Sequence, residues 1–310
     1  MIYLDEEQVR ALLRLEDLIP AMENALIDFS AGRIRQPVRS ILAIPEHGGL
    51  WGLMPAVCGD VMGIKLVTVY EGNAKRGLPT HQAVIQLMAA DNGEPLVAMD
   101  GRLITELRTA AVSAVATRLL AKPAARVLAI LGSGVQARAH AHALRLVRPF
   151  EEIRVWGRTM KHAERCADEI GGKAMDAESA VRGADVVVTV TYSAEPVLKG
   201  AWLSPGVLVN AVGAVGPAKR ELDDEAVQGT VVVDSRAAAV QESGDIIHSG
   251  APVYAELGEL LAGARPIPTG GNRVIFKSLG LAVEDVAAAK LVWDRYRQRH
   301  PRRTSKETTT

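Results

Sequence analysis

The stretch R-V-L-A-I-L-G-S-G-V-Q-A-R-A-H-A-H-A-L, residues 126–144, decides the fold of the larger part of this chain. Val127–Leu131 is an unbroken apolar run of strand length. Gly132-Ser133-Gly134-Val135-Gln136-Ala137 follows, and 137–147 then has helical character. A G-x-G-x-x-A run at a strand-to-helix junction has a physical logic. The first glycine makes the tight turn, the second lets backbone approach a pyrophosphate, and the small third residue lets helix pack on strand. Unpaired N–H groups and the positive end of the helix dipole complete a phosphate cradle. Gly132, Gly134, Val135 and Gln136 are therefore expected to hold a dinucleotide.

Outward from this core the rhythm is strand–helix alternation. Strands are expected at 127–131, 153–156, 185–191, 207–211 and 230–234, with helices at 160–170 and 221–227 between some of them. This is the Rossmann-type, doubly wound α/β pattern with a parallel sheet. Upstream the texture differs. Two helices, 5–14 and 16–31, precede short β runs at 38–44, 50–54, 63–70, 81–89 and 95–99. Pro45 to Gly49 marks one turn and Asp91-Asn92-Gly93 marks a hairpin. Residues 1–118 thus read as an α+β domain with an antiparallel sheet, joined through a helix at 105–121 and Lys122-Pro123 to a dinucleotide domain at 119–280. A helix at 282–297 crosses back, completing the first domain over 281–298. The segment 299–310 reads as a polar, disordered tail.

Composition excludes several function classes. The chain has 310 residues, 48% of them hydrophobic and 23% charged, as an ordinary globular protein does. Lys+Arg and Asp+Glu both total 36, which leaves no charge footprint for nucleic acid or an anionic membrane surface. Cys58 and Cys166 lack metal or redox spacing, and no metal site is expected. The acidic start M-I-Y-L-D-E-E-Q is unlike a secretory signal, and no apolar run has transmembrane length, so a cytoplasmic location is expected.

The end of the second strand of a dinucleotide fold selects the cofactor. An acidic side chain there hydrogen-bonds the ribose 2′-hydroxyl of NAD and repels a 2′-phosphate. Here the strand runs into Gly157-Arg158-Thr159, with no acid. A guanidinium and a hydroxyl suit a phosphate, so NADPH is the expected cofactor and NADH a weaker substitute.

Several further stretches carry a resemblance. They are V-R-S at 38–40, M-P-A at 54–56, K-L-V-T at 65–68, T-H-Q at 80–82, M-D-G at 99–101 and L-R-T-A-A-V-S-A at 107–114. After the glycine loop come W-G-R-T at 156–159, G-A-D-V-V at 183–187, N-A-V-G at 210–213, E-L-D at 221–223, E-S-G-D-I at 242–246 and F-K-S-L-G at 276–280. Together they resemble the ornithine cyclodeaminase/μ-crystallin family over roughly 2–296, with the closest likeness to its NADPH-dependent ketimine reductases. The resemblance implies a homodimer joined through the N-terminal sheets, and a small imine or amino acid as substrate.

It also implies residue roles. Arg39 and Lys65 would face the substrate carboxylate, with Met54 and Glu242 beside them. A bidentate guanidinium plus a point charge can fix a carboxylate next to the carbon receiving hydride. Lys65, in an apolar strand between Ile64 and Leu66, is also the candidate proton donor, because desolvation lowers a lysine pKa. Arg108 would reach the cofactor pyrophosphate. Thr80, His81, Thr191, Val212 and Ser278 would contact the cofactor.

One departure separates the activities in this family. Cyclodeaminases and the related alanine dehydrogenases carry an aspartate shortly after N-A-x-G, and this chain has Val215 there. Valine can neither accept a proton nor bind an ammonium, whereas reduction of a preformed imine needs only a protonated C=N, a held carboxylate and an aimed hydride. A reductase of cyclic or N-substituted imino acids is the leading expectation. A cyclodeaminase-type lyase or amino-acid dehydrogenase is one alternative. A protein that binds NADPH and thyroid hormone without turnover is another.

Overall fold

The computed structural model describes residues 2–269 and 271–301. The chain opens with β1 (Ile2–Leu4), α1 (Glu6–Leu12) and α2 (Leu15–Ser30). Asp5 starts α1 with a capping box, its carboxylate accepting from Gln8 N while the Gln8 side chain accepts from Asp5 N. A meander follows: β2 (Ser40–Ile44), β3 (Gly49–Cys58), β4 (Val61–Tyr70), β5 (His81–Ala89) and β6 (Pro95–Asp100). Strand order is β1-β6-β5-β4-β3-β2, and the pairs are antiparallel except for β1 on β6. That short parallel edge was not foreseen. Three residues are too few to show a period, and β1 is placed by α1 and α2 returning the chain.

α3 (Arg102–Leu120) leads to the second sheet. Its strands and helices are β7 (Val127–Leu131), α4 (Val135–Arg145), β8 (Glu152–Trp156), α5 (Met160–Ile170), β9 (Lys173–Ala174), α6 (Ala177–Val181), β10 (Val186–Thr189), β11 (Leu208–Ala211) and β12 (Thr230–Val233). They continue with α7 (Arg236–Glu242), α8 (Gly244–Ser249), β13 (Val253–Glu256), α9 (Leu257–Leu261) and β14 (Val274–Lys277), and α10 (Ala282–Arg299) ends the described chain. The eight strands are parallel in the order β13-β12-β14-β11-β10-β7-β8-β9. After β7 the chain runs outward through β8 and β9, then returns to the other side of β7 at β10. The crevice at the carboxyl ends of β7 and β10 is therefore the topological switch point, where ligands bind in such sheets.

The doubly wound α/β reading holds, with three differences. Residues 221–227 form turns, not a helix, because Asp223 spends its carboxylate on the N–H groups of Gly200 and Ala226 and holds the chain in a turn. Phe276 and Lys277 belong to a central strand, β14, whose four residues are all buried and so show no alternation. α10 runs to Arg299, two residues beyond its expected end; of the expected tail, 302–310 lies outside the described residues.

α10 returns the chain to the first half. It packs on β3, β4 and β5 of the first sheet and on α2 and α3. The approach is close at Gly63 of β4, where a Cβ would stand 3.0 Å from Val286 and 2.8 Å from Leu87. The first turn of α10 thereby comes to lie over β4. No described helix is long and apolar enough to cross a membrane.

Candidate active site

β4 alternates with Val61, Gly63, Lys65 and Val67 turned to the core. Lys65 is thus in phase with the apolar positions, a costly placement unless a partner meets it. Asp285, in the first turn of α10, does so: Lys65 Nζ lies 2.6 Å from its carboxylate, and both side chains are buried. Asp285 also accepts from Arg108 Nε at 3.0 Å, and the neighbouring Glu284 accepts from Arg108 Nη1 at 2.6 Å. The positive end of the α10 dipole favours both carboxylates. Gly280, at φ +81°, lets the chain pass over the guanidinium, since a Cβ there would come within 2.4 Å of Arg108 Nη1.

Arg39, in the segment before β2, closes the other side. Its Nε lies 3.1 Å from the Glu242 carboxylate at the end of α7, and its Nη2 donates to the carbonyls of Leu279 and Gly280 at 2.8 and 2.6 Å. Those two peptides are held from their N–H side by Asp234, at 2.5 and 2.7 Å. Arg39 is therefore fixed by a loop that a buried carboxylate fixes in turn. Beside it a cavity of about 60 Å³ is walled by Phe29, Val38, Met54, Glu242 and Leu281. Among the described residues, Arg39 Nη1, Arg108 Nη2 and two of the three Lys65 N–H groups have no hydrogen-bond partner. These are donors left over for an anion.

Burial brings Lys65 down to about 8, with Arg108 and Arg39 pressing the same way and Asp285 opposing. His81, at the start of β5, is brought down to about 4 by burial and by the field of Lys65 and Arg108, so its imidazole stays neutral at ordinary pH. Burial would raise Asp285, but Arg108 and Lys65 together hold it below the usual carboxylate value.

The second half of the site lies along the carboxyl edge of the parallel sheet. Gly132 has φ +138°, and a Cβ there would meet Val190 at 2.8 Å. Gly134 caps α4 without a side-chain hydrogen bond, and a Cβ on it would meet nothing within 4 Å. The first-turn N–H groups of α4 and the open approach at Gly134 fit a pyrophosphate. Gly157 is small because the end of β8 packs on the loop, with a Cβ there 2.7 Å from Ser133 Oγ. Arg158 and Thr159 follow it, both exposed. Val212 and Ser278 end β11 and β14 on the same edge. Thr191 lies there too, but its N–H and hydroxyl both donate to Glu221, at 2.5 and 2.7 Å.

Two further expected residues have these surroundings. Arg108, expected at the pyrophosphate, is buried against α10, where it pairs with Glu284 and shares Asp285 with Lys65. Thr80 is exposed at the entry to β5, where its backbone carbonyl accepts from Tyr70 N. Several residues that matter were not foreseen. Glu284 and Asp285 read in sequence as ordinary first-turn acids, although V-E-D amid an apolar helix start was a usable signal. Glu221, fully buried, gathers Thr189 Oγ1, Thr191 and the N–H groups of Gly213 and Ala214, so it stitches the ends of β10 and β11 together. Asp245 accepts from the N–H groups of Glu221 and Leu222 and from Lys277 Nζ, and so fixes Glu221.

Several known proteins are similar to this chain over nearly its whole length. The chain is 47% identical over 302 residues to the ketimine reductase mu-crystallin of Mus musculus, covering 94% of this chain and 96% of the relative. A solved Delta(1)-pyrroline-2-carboxylate reductase of Thermococcus litoralis, in complex with NADH and L-proline, superposes with a TM-score of 0.92. It is 34% identical, covering 96% of this chain and 98% of that one. An archaeal alanine dehydrogenase dimer with bound NAD matches at a TM-score of 0.92 and 31% identity, over 96% and 97% of the two chains. Residues 2–300 match one family's sequence pattern as a whole, and the chain belongs to the ornithine cyclodeaminase/mu-crystallin family.

Proposed function

We propose that this protein is an imine reductase using a nicotinamide dinucleotide, preferentially NADPH, to reduce cyclic or N-substituted imino acids to L-amino acids. The observation that carries the reading is the convergence of unspent donors from Arg39, Lys65 and Arg108 on one buried cluster. A planar α-imino carboxylate needs that set: two guanidinium edges and an ammonium for its carboxylate, and an acid beside its nitrogen. The ketimine and pyrroline-2-carboxylate reductases among its relatives support the same class.

A bound nicotinamide supplies hydride from C4 to the imine carbon. Arg39 and Arg108 hold the substrate carboxylate, and Met54 packs against its carbon skeleton. Lys65 gives a proton to the imine nitrogen, so that hydride and proton together convert C=N to CH–NH. Asp285 keeps Lys65 in place throughout and stabilises the ammonium before transfer. His81, neutral between two cations, is a hydrogen-bonding wall and not an acid. Val215, half-buried against the second core, supplies no base for deprotonating an ammonium or activating water, which argues against the lyase and dehydrogenase reactions.

Lys65→Met tests the proton donor. Turnover of a cyclic imino acid falls on the order of a hundredfold or more, as removal of a general acid does, while NADPH binding measured by fluorescence is retained. In the wild-type enzyme the acid form of Lys65 is present below about 8 and lost above it. The rate therefore falls on the alkaline side, and a variant with unchanged turnover makes Lys65 structural.

Arg158 and Thr159, exposed after β8 with no acid beside them, support the preference for a 2′-phosphate. Arg158→Ala raises the KM for NADPH by roughly tenfold or more, the worth of a charge-assisted hydrogen bond, and changes that for NADH little. Equal losses with both cofactors contradict the preference.

The protein works as a homodimer through the outer face of its first sheet. Leu53, Leu66 and Val84 form one cross-strand row there, beside Pro55 and Ile64 and the exposed Leu42. A contiguous apolar sheet face of this kind needs a cover, and a second copy supplies it with the same chemistry. Light scattering gives twice the chain mass for the native protein and the monomer mass for Leu66→Glu. A monomeric native protein removes this part of the reading.

A further inference from the structure

The buried cluster holds more acid than base. Arg39, Lys65 and Arg108 provide three cations, against the four carboxyls of Asp234, Glu242, Glu284 and Asp285. Most of the carboxylate oxygens are accounted for. Glu242 pairs with Arg39, Asp285 with Lys65 and Arg108, and one oxygen of Glu284 with Arg108. Asp234 spends Oδ2 on the N–H groups of Leu279 and Gly280 and, at 3.4 Å, on the Ser278 hydroxyl. Asp285 Oδ2 has its ion pair with Lys65 in place of a hydrogen bond, which leaves Asp234 Oδ1 and Glu284 Oε1, both buried and with neither a hydrogen bond nor an ion pair among the described residues.

The two carboxyls flank one peptide. Gly280 donates its N–H to Asp234, and its Cα lies against the guanidinium that Glu284 holds. Around Glu284, α10 contributes Asp285, α3 contributes Arg108, and the end of β12 contributes Asp234. Farther off, β4 brings Lys65, β5 the neutral His81, and the segments before β2 and at the end of α7 bring Arg39 and Glu242. An ionised carboxylate with a dry, unpartnered oxygen carries its full desolvation cost, and a proton relieves it. Burial, opposed by Arg108 and reinforced by Asp234 and Asp285, pushes Glu284 up to about 7. Burial raises Asp234 as well. A substrate that docks a further carboxylate on the three cations makes the local charge still more negative.

We infer that Asp234 and Glu284 hold one proton between them beneath the carboxylate site, and that this proton offsets the surplus negative charge when a substrate carboxylate docks. The inference rests on the reductase reading and adds Glu284 to it as a positioning residue, acting through Arg108 without touching the substrate. The sign is set by linkage. With the proton in place the substrate carboxylate binds well, and as pH rises through 7 the proton is lost and binding weakens. The free proton equilibrium thus enters the KM for the imino acid and not the KM for NADPH.

Glu284→Gln is the test, because the amide keeps an acceptor for Arg108 and mimics the protonated acid at every pH. We compare kcat/KM for the cyclic imino acid in wild type and variant from pH 6 to pH 9. Titrations of the imine itself and of Lys65 are common to both enzymes and cancel in the ratio. The wild-type to variant ratio is level near pH 6 and falls above pH 7 toward a slope of about tenfold per pH unit, with the change in the imine KM. A ratio independent of pH overturns the inference while the wild-type turnover leaves the reductase reading standing. Should Glu284→Gln not fold, Asp234→Asn shows the same flattened profile, and a wild-type-like profile in that variant overturns the inference equally.

Discussion

The ion pair between Lys65 and Asp285 is the constraint on which the rest of the site depends. A lysine in phase with the core of a β-strand is tolerable only if a carboxylate reaches it inside the fold. That carboxylate comes from the last helix, more than 200 positions away in the chain. The return of α10 across the first sheet is therefore part of the chemistry as well as of the architecture. The same first turn supplies Glu284 to Arg108, so one helix start positions two of the three cations. Close approach at Gly63 and the left-handed turn at Gly280 make room for it.

The dinucleotide half is stitched by similar means. The strand ends that open the crevice would fray without partners for their backbone N–H groups. Glu221 collects those of Thr191, Gly213 and Ala214, and Asp245 with Lys277 fixes Glu221 from behind. Asp234 does the same for the loop that carries the Arg39 acceptors. Buried carboxylates thus hold loops on both sides of the cleft. Each is hydrogen-bonded to backbone, as a buried charge must be, and the exceptions at Asp234 Oδ1 and Glu284 Oε1 stand out against that pattern.

Much of this was readable from residues alone, for reasons that differ by element. The glycine loop, β7 and α5 were legible because local sequence dictates them: a short apolar run, obligatory glycines and a strong helical stripe. Lys65 was legible as a buried lysine between Ile64 and Leu66, and the family resemblance attached a role to it. What escaped were partners fixed only by tertiary contact. Nothing local in V-E-D at 283–285 says that its acids meet Arg108 and Lys65, and nothing local at Arg108 says that it pairs with α10. β14 escaped because a strand buried on both faces has no alternation to show, and residues 221–227 because charged turn residues mimic a helix pattern.

If Arg39, Lys65 and Arg108 seat an α-imino carboxylate for hydride from a bound nicotinamide, as proposed, the protein turns over cyclic imino acids. Continuous recording of reduced-nicotinamide absorbance with wild-type protein, NADPH and Δ1-piperideine-2-carboxylate tests it most directly. Sustained NADPH oxidation in step with formation of L-pipecolate, ending when the imine is consumed, is the expected result. A flat trace with every cyclic imino acid supplied, from protein that binds NADPH, would contradict it.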